Sequence, residues 1–221
     1  MKNYSKKEAI NVITSCAKTY EENLANKNLL LFCLDKHKRP YFFEMTFLAR
    51  NFLHMTGLKL VTTLNSDNQQ HKMTPTEFYE KCLNHQIKEE DFEFDEEKTA
   101  YLKLQVLPLV INKNLSANSI GDFKSRTPKL YTEKLVGGMK ACVGFVCDCN
   151  SGFYYPNTVL KIDIRDHISN PMRIVAIFRK EKTNDKYEEI TYKAKGVDFD
   201  LIDLPDELSY LSEILNHKTE N

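Results

Sequence analysis

No apolar run in this 221-residue chain comes near the length of about 18 residues that a membrane-spanning helix needs. The opening stretch, MKNYSKKEAINVITSCAKTY, also lacks the continuous hydrophobic segment of a secretory leader. The expectation is a soluble, cytoplasmic protein without a membrane partner. The string GxxxxGK is absent and so is GxGxxG, which leaves Gly137-Gly138 as a turn signal and not a phosphate loop. Internal repeats and low-complexity tracts are missing as well.

Metal-ligand patterns are equally scarce. The six histidines (His37, His54, His71, His85, His167, His217) form neither HExxH nor HxH, and no DxD string ends a strand. Asp163 and Asp166 around Arg165 read as local pairing in a loop. The six cysteines are too thinly spread for a disulfide framework, and a chain of this length needs no staples. They read as reduced thiols. Cys142, Cys147 and Cys149 make C-x4-C-x-C, which lacks the paired short spacings of a structural zinc site and falls in a segment that reads as strand. Neither a metal nor another cofactor is expected.

What the chain has is size, apolar content and an uneven charge. At 42 % hydrophobic it can bury a core. The formal charge is zero, but residues 89–97, EEDFEFDEE, carry seven acids and no base. Residues 98–180 carry thirteen Lys or Arg against five Asp or Glu, and residues 181–221 swing back to eleven acids against five bases. A neutral whole can therefore present a basic face to phosphates, because steering follows the local field. The competing reading is mutual neutralisation of these segments across the fold.

Hydrophobic spacing gives the elements. Ser5 with Glu8 and the recurrence of Ile10, Ile13, Ala17, Tyr20 and Leu24 predict a helix over 5–25. NLLLFCLD and RPYFFEMTF predict two paired strands. From Thr46 the period changes, and Phe47, Leu48, Asn51, Phe52 and Met55 predict a short helix ended by Gly57. Residues 65–73 read as a loop, TPTEFYEKCLNHQI as a capped helix, and EEKTAYLKLQVLPLVINKNL as a core helix with a kink at Pro108. Beyond Leu115, alternating segments broken by Gly, Asn, Asp and Pro predict four to six mostly antiparallel strands, one beginning after Pro156. The tail predicts an apolar run at 199–204, a helix from Pro205 to about 215, and frayed last residues. The fold class is α+β, with N-terminal helices packed on a curved antiparallel sheet. The organisation is a helix at 1–25, an α+β domain at 26–196 and an acidic C-terminal segment at 197–221, with the acidic stretch 89–97 as the nearest internal boundary.

The predicted short helix carries the residues of chemical interest. Arg50 and His54 stand four apart on one face, and a neighbouring cation disfavours imidazolium, leaving a neutral base near pH 7. Thr56 follows at the helix end. The later stretch YYPNTVLK supplies Tyr155, Asn157 and Thr158 as hydrogen-bond groups and Lys161 as a phosphate clamp. RNA cleavage through the 2′-hydroxyl needs such a base, an acid and a charge stabiliser, and no cofactor. The structural alternatives are a half-buried His54 bonded to backbone, a solvated Lys161, tyrosines at core and rim, and an ion pair of Arg50 with Glu44 or with an acid of 89–97.

The strings FLHMTGL, PTEFYEKCL, KTAYLKLQVLPLV, GFVCDCNSGFYYPNTVLKIDI and PMRIVAIFRK, over roughly residues 25–195, together resemble the phage- and mobile-element-associated nuclease domains grouped with barnase, EndoU, colicin E5/D and RelE, the fourth phage subfamily in particular. The family pattern of a His-x-Thr-Gly-like motif and a later Tyr-Pro-x-Ser/Thr-x-x-Lys motif is matched by His54, Thr56 and Gly57 and by Tyr155, Pro156, Thr158 and Lys161. The resemblance implies a metal-independent endoribonuclease acting on RNA or tRNA, a toxin or conflict effector with a neutralising antitoxin or immunity protein as a possible partner. It implies His54 as base or acid and Lys161 as the phosphate-stabilising group. The alternative is a non-catalytic nucleic-acid or protein interaction module.

Overall fold

Ser5 opens the first helix in the manner its spacing from Glu8 requires: the Glu8 amide donates to Ser5 Oγ at 3.2 Å and the Ser5 amide donates to Glu8 Oε2 at 2.9 Å. The helix, α1 (Lys6–Asn23), buries Ala9, Ile13, Ala17 and Tyr20 along one stripe. The computed structural model describes residues 2–64, 70–124 and 130–216. After α1 come β1 (Lys27–Leu34) and β2 (Pro40–Thr46), paired antiparallel as the alternation predicts. The helical turn that follows is shorter than its sequence pattern. Helix α2 spans Asn51–Thr56 only, because Thr46 stays in β2 and the Leu48 amide is captured by Asn51 Oδ1 at 3.0 Å, closing a turn before the helix begins.

Two small pairings follow α2. Strands β3 (Leu58–Leu60) and β4 (Thr62–Leu64) lead to β5 (Gln70–Lys72), with β4 and β5 forming a hairpin where a loop was expected. The first part of that expected loop, residues 65–69, lies outside the described residues. Helix α3 (Pro75–Leu83) starts at Thr74, again with a reciprocal cap, here to Glu77. The acidic stretch is folded into the body: a 3-10 turn at Glu89–Asp91 runs into β6 (Phe92–Phe94), which pairs with β3. Helix α4 (Glu97–Val110) follows, with Pro108 inside it.

The remaining strands are β7 (Ser119–Phe123), β8 (Lys134–Gly137), β9 (Cys142–Cys147), β10 (Tyr154–Leu160), β11 (Ile168–Glu181) and β12 (Glu189–Lys193). They join β1 and β2 in one sheet of order β1-β2-β10-β9-β8-β7-β11-β12, and β11 pairs with β1 as well. Seven strands thus close into a barrel, with β12 added outside along β11. The seam is the single parallel pair Tyr154↔Met45, between β10 and β2. An expected curved sheet has become a closed one. β11 explains how: it runs fourteen residues, pairing with β7 through its first part and β1 through its second. Strand β10 begins at Tyr154 and carries Pro156 inside it. The register shift between Pro156 and Thr158 leaves Asn157 as an extra residue, the kind of bulge that accommodates a proline in a strand.

The helices cover one face of this sheet in a single core that includes Leu29, Leu31, Phe47, Phe52, Phe145 and Ile177. Tyr20 is its hub, with its ring 5.4 Å from Phe52 and 5.6 Å from Tyr79 and its hydroxyl donating to the Leu48 carbonyl at 3.0 Å. The opposite face holds two smaller clusters. One, around Phe32, Val175 and Phe178, is covered by the tail, which has 3-10 turns at Phe199–Leu201 and Asp206–Leu208 and a last helix, α5 (Leu211–Asn216). The single tail helix expected from Pro205 is broken between a 3-10 turn and α5; the end expected to fray, 217–221, lies outside the described residues. The six cysteines are free, and burial pushes the Cys16, Cys82 and Cys142 thiols up to about 12, so they behave as small apolar groups.

Candidate active site

Helix α2 is packed on every side but one. Asn51, Phe52, Leu53, Met55 and Thr56 are buried, and His54 alone among its six residues is exposed. The neighbours fix that outward direction: Phe52 lies in the aromatic hub and the Thr56 hydroxyl donates to the Leu53 carbonyl at 2.7 Å while accepting from the Leu58 amide at 3.2 Å. Gly57 then ends the helix at φ +76°, a left-handed conformation. A Cβ there would stand 2.9 Å from Ala100 Cα and 3.0 Å from Lys103 Cδ. The glycine therefore lets α4 close on the end of α2, and that contact brings Lys103 to His54.

Lys103 Nζ donates to the His54 carbonyl at 3.2 Å. Desolvation holds the His54 pKa below the ordinary histidine value of 6.5, and the Lys103 charge pushes the same way. Desolvation likewise lowers Lys103, opposed by the charge of Asp95. Asp95 is placed by its amide, which donates to the Gly57 carbonyl at 3.2 Å. Around these groups opens a cleft of about 480 Å³, lined also by Lys59 from β3, Lys72 from β5 and Asn157 from the β10 bulge. Its cations, Lys59, Lys72 and Lys103, face one carboxylate, Asp95. The result is an imidazole biased toward its neutral form in a positive cleft, a setting suited to taking a proton from a group that is attached to a phosphate.

Of the residues singled out in the sequence, His54 and Asn157 line this cleft. The Asn157 amide nitrogen donates to the Tyr131 carbonyl, and Thr132 Oγ1 donates to Asn157 Oδ1 at 3.1 Å, so the bulge pins the 131–132 segment beside the site. Arg50 sits at the N-cap of α2, exposed and making no ion pair or hydrogen bond among the described residues; the cation near His54 is Lys103. Glu44, a suggested partner for Arg50, instead accepts from the Tyr187 hydroxyl at 2.6 Å. Thr56 and Thr158 are buried at 0 % and 4 % exposure, out of reach of a bound molecule. Thr158 packs opposite Gly144, where a Cβ would meet its methyl at 2.7 Å. Tyr155 is half-buried, facing the opposite side of β10 from Tyr154, whose ring packs on Phe43.

Lys161 lies elsewhere. It is exposed past the end of β10, and its ammonium donates to Gln105 Oε1 at 2.6 Å in a separate cavity. Lys103 and Gln105 are two residues apart on α4, about 200° around the helix, so His54 and Lys161 stand on opposite flanks of it.

Sequence reasoning passed over Lys103, Lys59, Lys72 and Asp95. Lys103 sits between Leu102 and Leu104 in a helix read as pure core, and a cation inside an apolar run was the available signal. The basic surplus of 98–180 is partly neutralised by the acidic segment that follows it, as Arg179 and Lys113 both bond Glu189 of β12. Among the described residues no group of three or more His, Cys, Asp or Glu side chains is placed to hold a metal, and no helix is long and apolar enough to cross a membrane.

Residues 12–196 match the family model described as phage-Barnase-EndoU-ColicinE5/D-RelE like nuclease4. No curated protein and no solved structure matches the chain.

Proposed function

Since this chain belongs to the phage-Barnase-EndoU-ColicinE5/D-RelE like nuclease4 family, we propose that it is a metal-independent endoribonuclease cutting RNA or tRNA through the 2′-hydroxyl, with His54 as the general base. The observation that carries this reading is His54, biased toward its neutral form by desolvation and by Lys103, whose Nζ donates to the His54 carbonyl, in a cleft whose other cations are Lys59 and Lys72. In the proposed reaction His54 takes the 2′-hydroxyl proton, the 2′-oxygen attacks phosphorus, and the bond from phosphorus to the 5′-oxygen breaks. The products are a 2′,3′-cyclic phosphate and a 5′-hydroxyl. Lys103 offsets the charge on the phosphorane, and its lowered pKa suits it to give the departing 5′-oxygen a proton.

The biological role proposed with this activity is that of a toxin or effector in conflicts among phages, mobile elements and their hosts, acting in the cytoplasm and restrained by an antitoxin or immunity protein. The test is cleavage of synthetic RNA by the purified chain in excess chelator, with a 2′-deoxy nucleotide at the cut position as control. Expected are chelator-resistant cleavage, cyclic phosphate ends, no cut at the deoxy position, and loss of cleavage with His54→Ala. Cleavage that survives His54→Ala unchanged removes His54 from the reaction.

A further inference from the structure

We propose that the cavity on the other flank of α4 is a second subsite for single-stranded RNA, holding a phosphate on Lys140 and Lys161 and a base against Met139 and Leu109. The inference rests on the reading above for the identity of the polymer. The cavity has a volume of about 550 Å³ and lies between α4, the turn joining β8 to β9, and the segment leaving β10. That size is in the range of small-ligand sites.

Its walls combine two features, exposed apolar side chains and cations unpaired among the described residues. Met139 is 62 % and Leu109 44 % exposed, two of only five large apolar side chains open to solvent among the described residues. Beside them stand Lys140 and Lys161. The carboxylate lining the cavity, Asp163, is held below the usual carboxylate range by hydrogen bonds from Arg165, whose Nη2 lies 2.5 Å and Nε 3.0 Å from it. Arg165 thus neutralises Asp163, and the two lysines keep their charge for another partner. The bond from Lys161 to the neutral Gln105 orients the ammonium without cancelling it.

An uncompensated cation pair next to an adaptable apolar platform fits the alternation of phosphate and flat ring in single-stranded RNA, and a thioether is well suited to an aromatic face. The placement also connects the two cavities. Asn157 borders the reaction cleft and Lys161 follows four residues later, so about 13 Å of strand separates them. A strand seated at His54 reaches the second cavity within a few nucleotides.

The test uses the full chain carrying His54→Ala, so that RNA is bound and not cut. Affinity is read by fluorescence anisotropy for a single-stranded RNA of about twelve nucleotides and for a dinucleotide too short to bridge both cavities. Adding Lys140→Ala with Lys161→Ala is expected to weaken the long RNA about tenfold and to flatten its dependence of log K on log salt by about 0.7, the value for one phosphate no longer neutralised on a single strand. The dinucleotide is expected to bind both chains alike. Met139→Ala is expected to weaken the long RNA with no change in slope. Unchanged affinity and slope overturn the subsite and leave this face to an acidic protein partner, and equal weakening of the dinucleotide overturns it by returning Lys161 to the reaction cleft. If the chain with native His54 cuts no RNA while these binding results hold, the ribonuclease reading fails and the subsite stands.

Discussion

The two flanks of α4 present the same residue type in different settings. On one side Lys103 is desolvated against the backbone of His54, and both groups are shifted toward their neutral forms. On the other, Lys161 and Lys140 reach into solvent beside exposed apolar side chains. Desolvation biases both groups toward the forms that exchange protons, whereas solvated ammonium groups suit holding a polyanion. On the proposed reading, chemistry belongs to the first flank and grip to the second, although sequence motifs point to one residue on each.

His54→Ala is the sharpest way to break that contrast. It is expected to lower kcat by about 10²–10⁴, measured on a defined RNA, with the melting temperature little changed because the side chain faces outward. Gly57→Ala comes next. A side chain at φ +76° pressed 2.9 Å from Ala100 Cα is expected to cost about 2 kcal/mol in denaturant unfolding, and cleavage is expected to fall as α4 moves away from α2.

Lys103→Gln tests the electrostatics of the cleft. The acid limb of kcat/KM against pH is expected below 6.5 in the native chain and closer to 6.5 in the variant, since one of the two causes lowering His54 is gone. A limb that does not move separates Lys103 from the base. The smallest effect is on stability. A histidine whose folded pKa is depressed contributes stability that is complete above its unfolded value of 6.5 and is lost as pH falls toward the folded value. Urea unfolding between pH 5 and 8 is therefore expected to show a shallow acid-side loss that His54→Ala flattens.

Much of the fold was legible because it depends on local chemistry. The Ser5–Glu8 cap is read from spacing alone, and so are the capped helix of TPTEFYEKCLNHQI, the β1–β2 pair and the stop at Gly57. Closure of the barrel was not legible. It depends on one long strand exchanging partners midway and on a one-pair seam between residues 45 and 154, and neither leaves a periodic mark. The β3–β6 pair was hidden by its acidic composition, because Glu93 and Asp95 suggest a solvated connection until Phe92 and Phe94 are seen packed on the core.

The sequence by itself determined that His54 is the odd residue in an apolar turn, and its spacing named Arg50 as the cation beside it, since spacing and amphipathicity are properties of short segments. Only the tertiary structure decided which cation. The choice of Lys103 over Arg50 or Lys161 follows from how closely α4 can approach a glycine that has no Cβ, a contact between residues 57 and 100 that no local pattern encodes. The same packing turned α4 into a wall between two cavities and so divided the residues of two motifs between them.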